Sequence, residues 1–169
     1  MPSVQPCEVP AHSLLSRYGG GAGFADCYVI EVAGVVTQAA FIEAFYTSAL
    51  FKVERTLLQY LASKPATDGD AKQLAAGKAS MFSAWSVESQ SADELLLADF
   101  SGRTRSWLSV VPGAQRAPAT STLLYFGSAV LPIRRKGTTQ SDMGWLFHAL
   151  LGFHRLYSRL LLSAAGKRV

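Results

Sequence analysis

Along the chain, hydrophobic residues alternate with polar ones in some stretches and recur every three or four residues in others. Phe24 to Ala33 (FADCYVIEVA) is rich in β-branched and aromatic residues and predicts a first strand. Thr37 then offers an N-cap for a helix over about 38–62. Its apolar stripe runs through Phe41, Phe45, Ala49, Val53, Leu57 and Tyr60, with a break near Tyr46 to Ser48 that would divide it in two. Ser63 to Asp70, containing Pro65 and Gly69, ends the helical region. Residues 71–77 fit a helical turn and a strand equally well.

From Lys78 onward the pattern becomes that of strands. Lys78 to Glu88, Glu94 to Ser101, Thr104 to Val111 and Ser121 to Ile133 read as four β segments separated by turn residues. Connections this short make antiparallel hairpins, since parallel pairing needs a crossover of about a dozen residues. Pro132 fits a strand end because it cannot donate to a ladder. After Arg134-Arg135-Lys136, the residues Thr138, Thr139, Ser141 and Asp142 offer N-caps for a last helix over about 143–164. Leu146, Leu150, Phe153, Tyr157 and Leu160 form its main stripe. Trp145, Phe147, Ala149, Leu151, Leu156 and Leu161 widen that stripe, which predicts burial on most of the circumference.

The order is strand, one or two helices, four or more antiparallel strands, then a long apolar helix. It predicts an α+β fold in which a curved antiparallel sheet wraps the C-terminal helix. Residues 1–23, with Pro2, Pro6, Pro10 and the run from Gly19 to Gly23, read as an irregular lead-in; residues 24–169 read as a single domain. The glycine run precedes a strand and lacks the Lys-Ser/Thr of a phosphate-binding loop, so it reads as a hinge.

Composition refines this picture. A chain of 169 residues, 49% hydrophobic and 17% charged, is expected to form one well-filled core. No run of eighteen apolar residues predicts a membrane span, and the first ten residues do not resemble a signal peptide, which makes the cytoplasm the expected location. Cys7 and Cys27 do not make a disulfide framework; Cys27 falls in an apolar run and reads as a small core or half-buried residue, and a single bond between the two is admissible, though unusual for a cytosolic protein. The net charge of +4 is unevenly spread. Residues 1–101 hold 6 basic and 11 acidic side chains, and residues 102–169 hold 10 basic ones against Asp142 alone. Either the halves interleave in space and average out, or an anionic partner is marked.

The quoted segments resemble the helix-grip superfamily (SRPBCC), which includes START-type lipid carriers and polyketide cyclase-like proteins. They are FADCYVIEV, the helical stretch 38–62, the strands AWSVES, ELLLADF, RSWLSVV and TLLYFGSAVLP, and the helix WLFHALLGFHRLYSRLLLSAA. A strand ending in Leu-Pro ahead of a helix containing Phe-His-Arg-Leu-Tyr is similar to a small bacterial branch of that superfamily. The resemblance implies two short helices between the first two strands and an apolar cavity between sheet and C-terminal helix. It implies a START-like protein for hydrophobic ligand or lipid binding.

Candidate chemistry is sparse. No Cys/His set has zinc spacing, no His-Glu-x-x-His or Gly-x-Ser-x-Gly occurs, and neither metal nor cofactor is expected. His148 and His154 are six residues apart and cannot easily share a metal on one helix. His148, Gly152, Arg155 and Arg159 form a basic ridge, either solvated or a clamp for a carboxylate or phosphate. Arg103, Arg105 and Arg134 could join it. Asp99, inside an apolar strand, calls for a partner such as Arg103 or Arg105. Trp85, Trp107, Tyr125 and Trp145 are the expected aromatic cavity walls, and Asp99, Arg105, His154 and Tyr157 the expected polar groups.

Three readings follow. The first is a binding module for an apolar or amphipathic small molecule, its head acidic if the arginines face it. The second is a cyclase-, dehydratase- or hydrolase-like enzyme using His154 or His148 with Asp99, Tyr125 or Tyr157. The third is a non-catalytic interaction protein, for which a homodimer is an admissible partner. Arg134-Arg135-Lys136 is too short a cluster to argue for nucleic acid.

Overall fold

The computed structural model describes residues 3–20, 23–62, 65–113, 120–134, 141–142 and 145–169, and within 57–62, 133–134, 141–142 and 145–151 the backbone alone. Seven strands form one antiparallel sheet: β1 (Gln5–Cys7), β2 (Phe24–Ala33), β3 (Met81–Phe82), β4 (Trp85–Gln90), β5 (Glu94–Asp99), β6 (Thr104–Pro112) and β7 (Ser121–Val130). Their spatial order is β1-β2-β7-β6-β5-β4-β3. The first and last long strands therefore lie side by side, with Phe24 opposite Val130 and Ala33 opposite Ser121. A small hairpin, β8 (Ile133–Arg134) and β9 (Ser141–Asp142), precedes the C-terminal helix.

Three helices separate β2 from β3: α1 (Gln38–Tyr46), α2 (Ala49–Ala62) and α3 (Asp68–Ala75). Thr37 caps α1 by accepting the Ala40 N–H, as its position predicts, and the helical stretch divides after Tyr46. The ambiguous segment 71–77 is mostly helix. Thr67 starts α3 with a reciprocal capping box, its hydroxyl accepting the Asp70 N–H while the Asp70 carboxylate accepts the Thr67 N–H. Two orphan donors satisfied at once outweigh the weak helical pattern of eight residues. The expected strand 78–88 is divided into β3 and β4 by a tight turn in which Ser83 takes φ 53°. The strand 121–133 stops at Val130, before Pro132, and resumes as β8.

Strand alternation gives the sheet two faces. The inner face presents Tyr28, Ile30, Val32, Leu95, Leu97, Leu108, Leu124 and Phe126. These pack with Phe41, Phe45, Tyr46 and Phe51 of α1 and α2 and with Leu161, Leu162 and Ala165 of α4 (Trp145–Gly166). Full burial of each such side chain contributes about 1.5–3 kcal/mol. The close seat of α4 on β2 shows at Gly166, where a Cβ would stand 3.2 Å from Ile30 Cδ1.

The outer face carries a second apolar cluster of Leu15, Cys27, Leu96, Trp107 and Ala129. What covers it is the stretch expected to be an irregular lead-in. β1 pairs with β2 at the sheet edge, and a 3-10 turn (Leu14–Tyr18) lays the fully buried Leu15 across the middle of the sheet. Gly127 makes room for it; a Cβ there would meet Leu15 Cδ2 at 2.5 Å.

The stripe expected on the last helix is also rotated. Phe153, Leu156 and Leu160 are 66%, 57% and 49% exposed, whereas His154, Tyr157, Ser158, Leu161 and Leu162 turn inward. The ridge of Gly152, Arg155 and Arg159 is exposed and Phe153, Leu156 and Leu160 flank it; on a helix this widely apolar, contacts with the sheet decide which apolar residues go in. The expected stripe members Leu146 and Leu150 have side chains outside the described residues.

Candidate functional site

Between the inner sheet face, α2 and α4 lies a pocket of about 180 Å³. Aromatic rings dominate its walls: Phe45 from α1, Phe51 from α2, Trp85 from β4, Phe126 from β7 and Tyr157 from α4. Its polar groups are Glu54, Ser106, Ser128, His154 and Ser158. The residues come together because Glu54 lies one helical turn from Phe51, while Ser106 and Ser128 face each other across β6 and β7. His154, Tyr157, Ser158 and Leu161 share one face of α4 by their spacing of three and four.

Glu54 is the ionisable group of this pocket set by burial. Tyr157 donates its hydroxyl proton to Glu54 Oε2 at 2.5 Å. Loss of water pushes the Glu54 carboxyl above the ordinary glutamate value; the Tyr157 hydrogen bond and the nearby His154 pull the other way. Burial, with the Glu54 charge adding to it, also pushes the Tyr157 phenol well up, so it remains a donor. Two residues of the pocket wall carry buried groups without a hydrogen-bond partner or an ion pair among the described residues: Trp85 Nε1 and Ser158 Oγ. An unpaired buried polar group costs about 1–3 kcal/mol, and both line the space that a bound molecule would fill.

Beside Glu54 runs a polar relay. Ser128 Oγ donates to Asp26 Oδ1 at 2.6 Å and lies 2.8 Å from His154 Nε2, which in turn is 3.5 Å from Asp26 Oδ2. Asp26 Oδ2 also accepts from the Tyr28 hydroxyl at 3.3 Å. Ser128 has one proton, and giving it to Asp26 obliges His154 Nε2 to be the donor toward Ser128. That is the reverse of a nucleophile–base pair, in which histidine accepts the serine proton. The arrangement orients His154 and leaves Ser128 without an activating base.

The expected site residues divide into two groups. Trp85, His154 and Tyr157 meet in the pocket. Trp107 and Tyr125 do not; they occupy the outer face, because odd-numbered positions of β6 and β7 point away from α4. The Arg105 backbone runs along the pocket, but its guanidinium lies with Nε 2.5 Å from Glu88 Oε2 and 4.8 Å over the Tyr18 ring. Asp99 ends β5 and organises the turn that follows: Oδ1 accepts the backbone N–H groups of Arg103 and Thr104 at 2.8 Å each, and Oδ2 accepts from the Ser101 hydroxyl. Its expected ion pair with an arginine side chain is thus replaced by backbone donors. The side chains of Trp145 and His148 lie outside the described residues, as do Arg135 and Lys136.

Sequence reasoning missed Glu54 and Ser128, and set Asp99 ahead of Asp26 among the acidic residues embedded in strands. Glu54 sits in a helix with Lys52 and Arg55 beside it, the texture of a solvated face, and only the docking of α4 encloses it. Asp26 could have been suspected, since it alternates with Tyr28 and Ile30 on the buried side of a strand. The Glu88–Arg105 pair also joins the acidic and basic halves of the chain, so the halves interleave in space at this point.

Two larger hollows, each of about 520 Å³, are more open to solvent. One adjoins Cys7 and Arg17, and the other lies at the end of the β6–β7 hairpin. Among the described residues no group of three or more His, Cys, Asp or Glu side chains is placed to hold a metal ion, and no helix is long and apolar enough to cross a membrane.

These features define an α+β protein with a seven-stranded antiparallel open sheet and a C-terminal helix packed on one face. No protein-family model matches the chain, and neither the curated proteins nor the solved structures contain a match to it.

Proposed function

We propose that this protein binds a small amphipathic molecule in the pocket between sheet and C-terminal helix, with a cationic amine head against Glu54 and an apolar body among the rings. The helix-grip resemblance supports a ligand in this position. The observation that carries the reading is the half-buried Glu54 carboxyl, edged by Phe45, Phe51, Trp85, Phe126 and Tyr157. A cation within about 6 Å of an aromatic face gains roughly 2 kcal/mol when desolvated, and a carboxylate beside it adds an ion pair.

Volume sets the size. About 180 Å³ holds the equivalent of roughly six water molecules at about 30 Å³ each, well below the roughly 300 Å³ at which drug-sized pockets begin. A compact alkylammonium fits this description better than a lipid chain. An acidic head does not suit the pocket, because its ionisable wall is a carboxylate and the Arg105 guanidinium is engaged by Glu88 on the other face.

Calorimetric titration with tetramethylammonium, against neopentyl alcohol as a neutral match in shape, tests this reading. Binding of the cation should weaken by at least about tenfold in Glu54→Gln, the equivalent of about 1.4 kcal/mol. It should also strengthen as pH rises, since the cation favours ionised Glu54 and displaces its proton. The Glu54→Gln protein shows how much of that pH dependence belongs to Glu54. Equal affinity for the neutral alcohol, or an unchanged Glu54→Gln protein, would overturn the amine head.

A further inference from the structure

Outside the pocket, the chain's two cysteines face each other. Cys7 and Cys27 are Cα partners in the antiparallel β1–β2 register, and their sulfurs lie 3.1 Å apart. Residues directly opposite in an antiparallel pair have Cα atoms about 4.5–5.5 Å apart, inside the window of about 4.4–6.8 Å that a disulfide spans. The sulfurs need to close by only about 1 Å to reach the bond length of about 2.05 Å. Both are free thiols in this structure; Cys27 is buried and Cys7 is half-buried at the sheet edge, where it lines a hollow open to solvent.

We propose that Cys7 and Cys27 form a reversible thiol–disulfide couple which, oxidised by a small-molecule disulfide such as glutathione disulfide, fastens the N-terminal strand to the sheet. The two thiols are chemically unequal. Their shared hydrogen bond holds the Cys7 thiol below its ordinary value against the opposing effect of burial, and the same bond together with burial pushes Cys27 up. Cys7 is therefore the attacking thiolate. Its sulfur displaces one glutathione thiolate from the oxidant and forms a mixed disulfide. Cys27, giving up its proton, then attacks the Cys7 sulfur and expels the second glutathione. Two protein thiols are oxidised to one disulfide and one glutathione disulfide is reduced to two glutathione thiols, with no further reactant.

The bond has a structural consequence. β1 is only three residues long, pairs with β2 alone, and leads into the turn that lays Leu15 over Trp107. A covalent tie between positions 7 and 27 closes a loop around that turn and restricts the unfolded chain. The reduced protein can release the edge strand by breaking a short ladder; the oxidised protein cannot.

The test uses the whole chain in mixtures of oxidised and reduced glutathione, quenched by alkylation under denaturing conditions and read by intact mass and peptide mapping. The expected product is a monomer lacking two hydrogens, refusing the alkylating reagent, with Cys7 and Cys27 in one linked peptide and a higher thermal midpoint. Dithiothreitol should restore both thiols. Cys27→Ser should halt at a glutathione adduct on Cys7, whereas Cys7→Ser should leave Cys27 largely unreacted. Persistence of both thiols under oxidising mixtures, a stable glutathione adduct on the wild-type chain, disulfide-linked dimers, or a lower thermal midpoint after oxidation would each overturn the proposal.

Discussion

Trp107 Nε1 donates to Glu94 Oε2 at 2.6 Å, and the same oxygen accepts the backbone N–H of Leu14 at 2.7 Å. One carboxylate thus holds a buried indole of β6 and the first residue of the 3-10 turn together. Tyr18 extends the attachment by donating to Glu88, which also meets Arg105 and Arg17. The N-terminal segment is therefore fastened to the outer face by polar groups at both ends and by Leu15 in the middle.

Removing that carboxylate should loosen the segment. Glu94→Ala leaves the Trp107 N–H buried and unpaired, and hydrogen bonds to charged groups contribute about 1.5–3 kcal/mol. We expect a loss of roughly 3–6 kcal/mol in urea unfolding, since two such bonds disappear, together with faster amide exchange at Leu14 and Leu15. Ligand binding on the inner face should be unaltered. A stability within the error of wild type would remove Glu94 from this role.

Gly127 makes a sharper steric test of the same contact. An added Cβ would stand 2.5 Å from Leu15 Cδ2 and 3.1 Å from Trp107 Cε3. Leu15 is a flexible end, but the Trp107 ring and the Asp26 carbonyl at 3.1 Å cannot both retreat. Gly127→Ala should cost about 1–3 kcal/mol by overpacking. The pair Gly127→Ala with Leu15→Ala should recover part of that loss, and a double-mutant cycle in chemical denaturation measures the coupling.

The pH dependence of stability should carry the mark of Glu54. Its carboxyl is raised in the folded state by burial, so between the unfolded and folded values the native protein binds more protons than the unfolded chain. The sign is that this group's contribution is most favourable below the ordinary glutamate value and declines as pH rises through the raised one. Glu54→Gln should flatten that decline and unfold at higher denaturant concentration near neutral pH. A steeper decline in the variant, from acidic to neutral pH, would contradict the assignment.

Asp99 should matter to the hairpin and not to the pocket. Its Oδ1 satisfies two backbone N–H groups at the start of β6, which a neutral methyl cannot do. Asp99→Ala should lose roughly 1–3 kcal/mol of stability, with tetramethylammonium binding by the folded protein unchanged. Asp99→Asn keeps one acceptor and should recover part of the loss. A marked change in affinity at full folding would return Asp99 to the binding site.

What the sequence determined is local. Strand β2, the Thr37 cap, the division after Tyr46, the antiparallel hairpins and a strand end near Pro132 are each specified by neighbours within a few residues, through side-chain period, capping and ring constraints. The helical choice for 68–75 was also local, in Thr67 and Asp70, but rested on a cap more than a stripe. Tertiary structure decided the rest. Trp107 and Tyr125 went to the outer face because the register between strands assigns each parity to a side. Phe153 and Leu160 went outward because the apolar stripe of α4 is wide, and its seat against β2, β7, α1 and α2 chose the inward residues. Glu54 became a pocket wall, and Cys7 became the neighbour of Cys27, by the same route. Segments distant in sequence met across the sheet, and short-range pattern carries no information about such meetings.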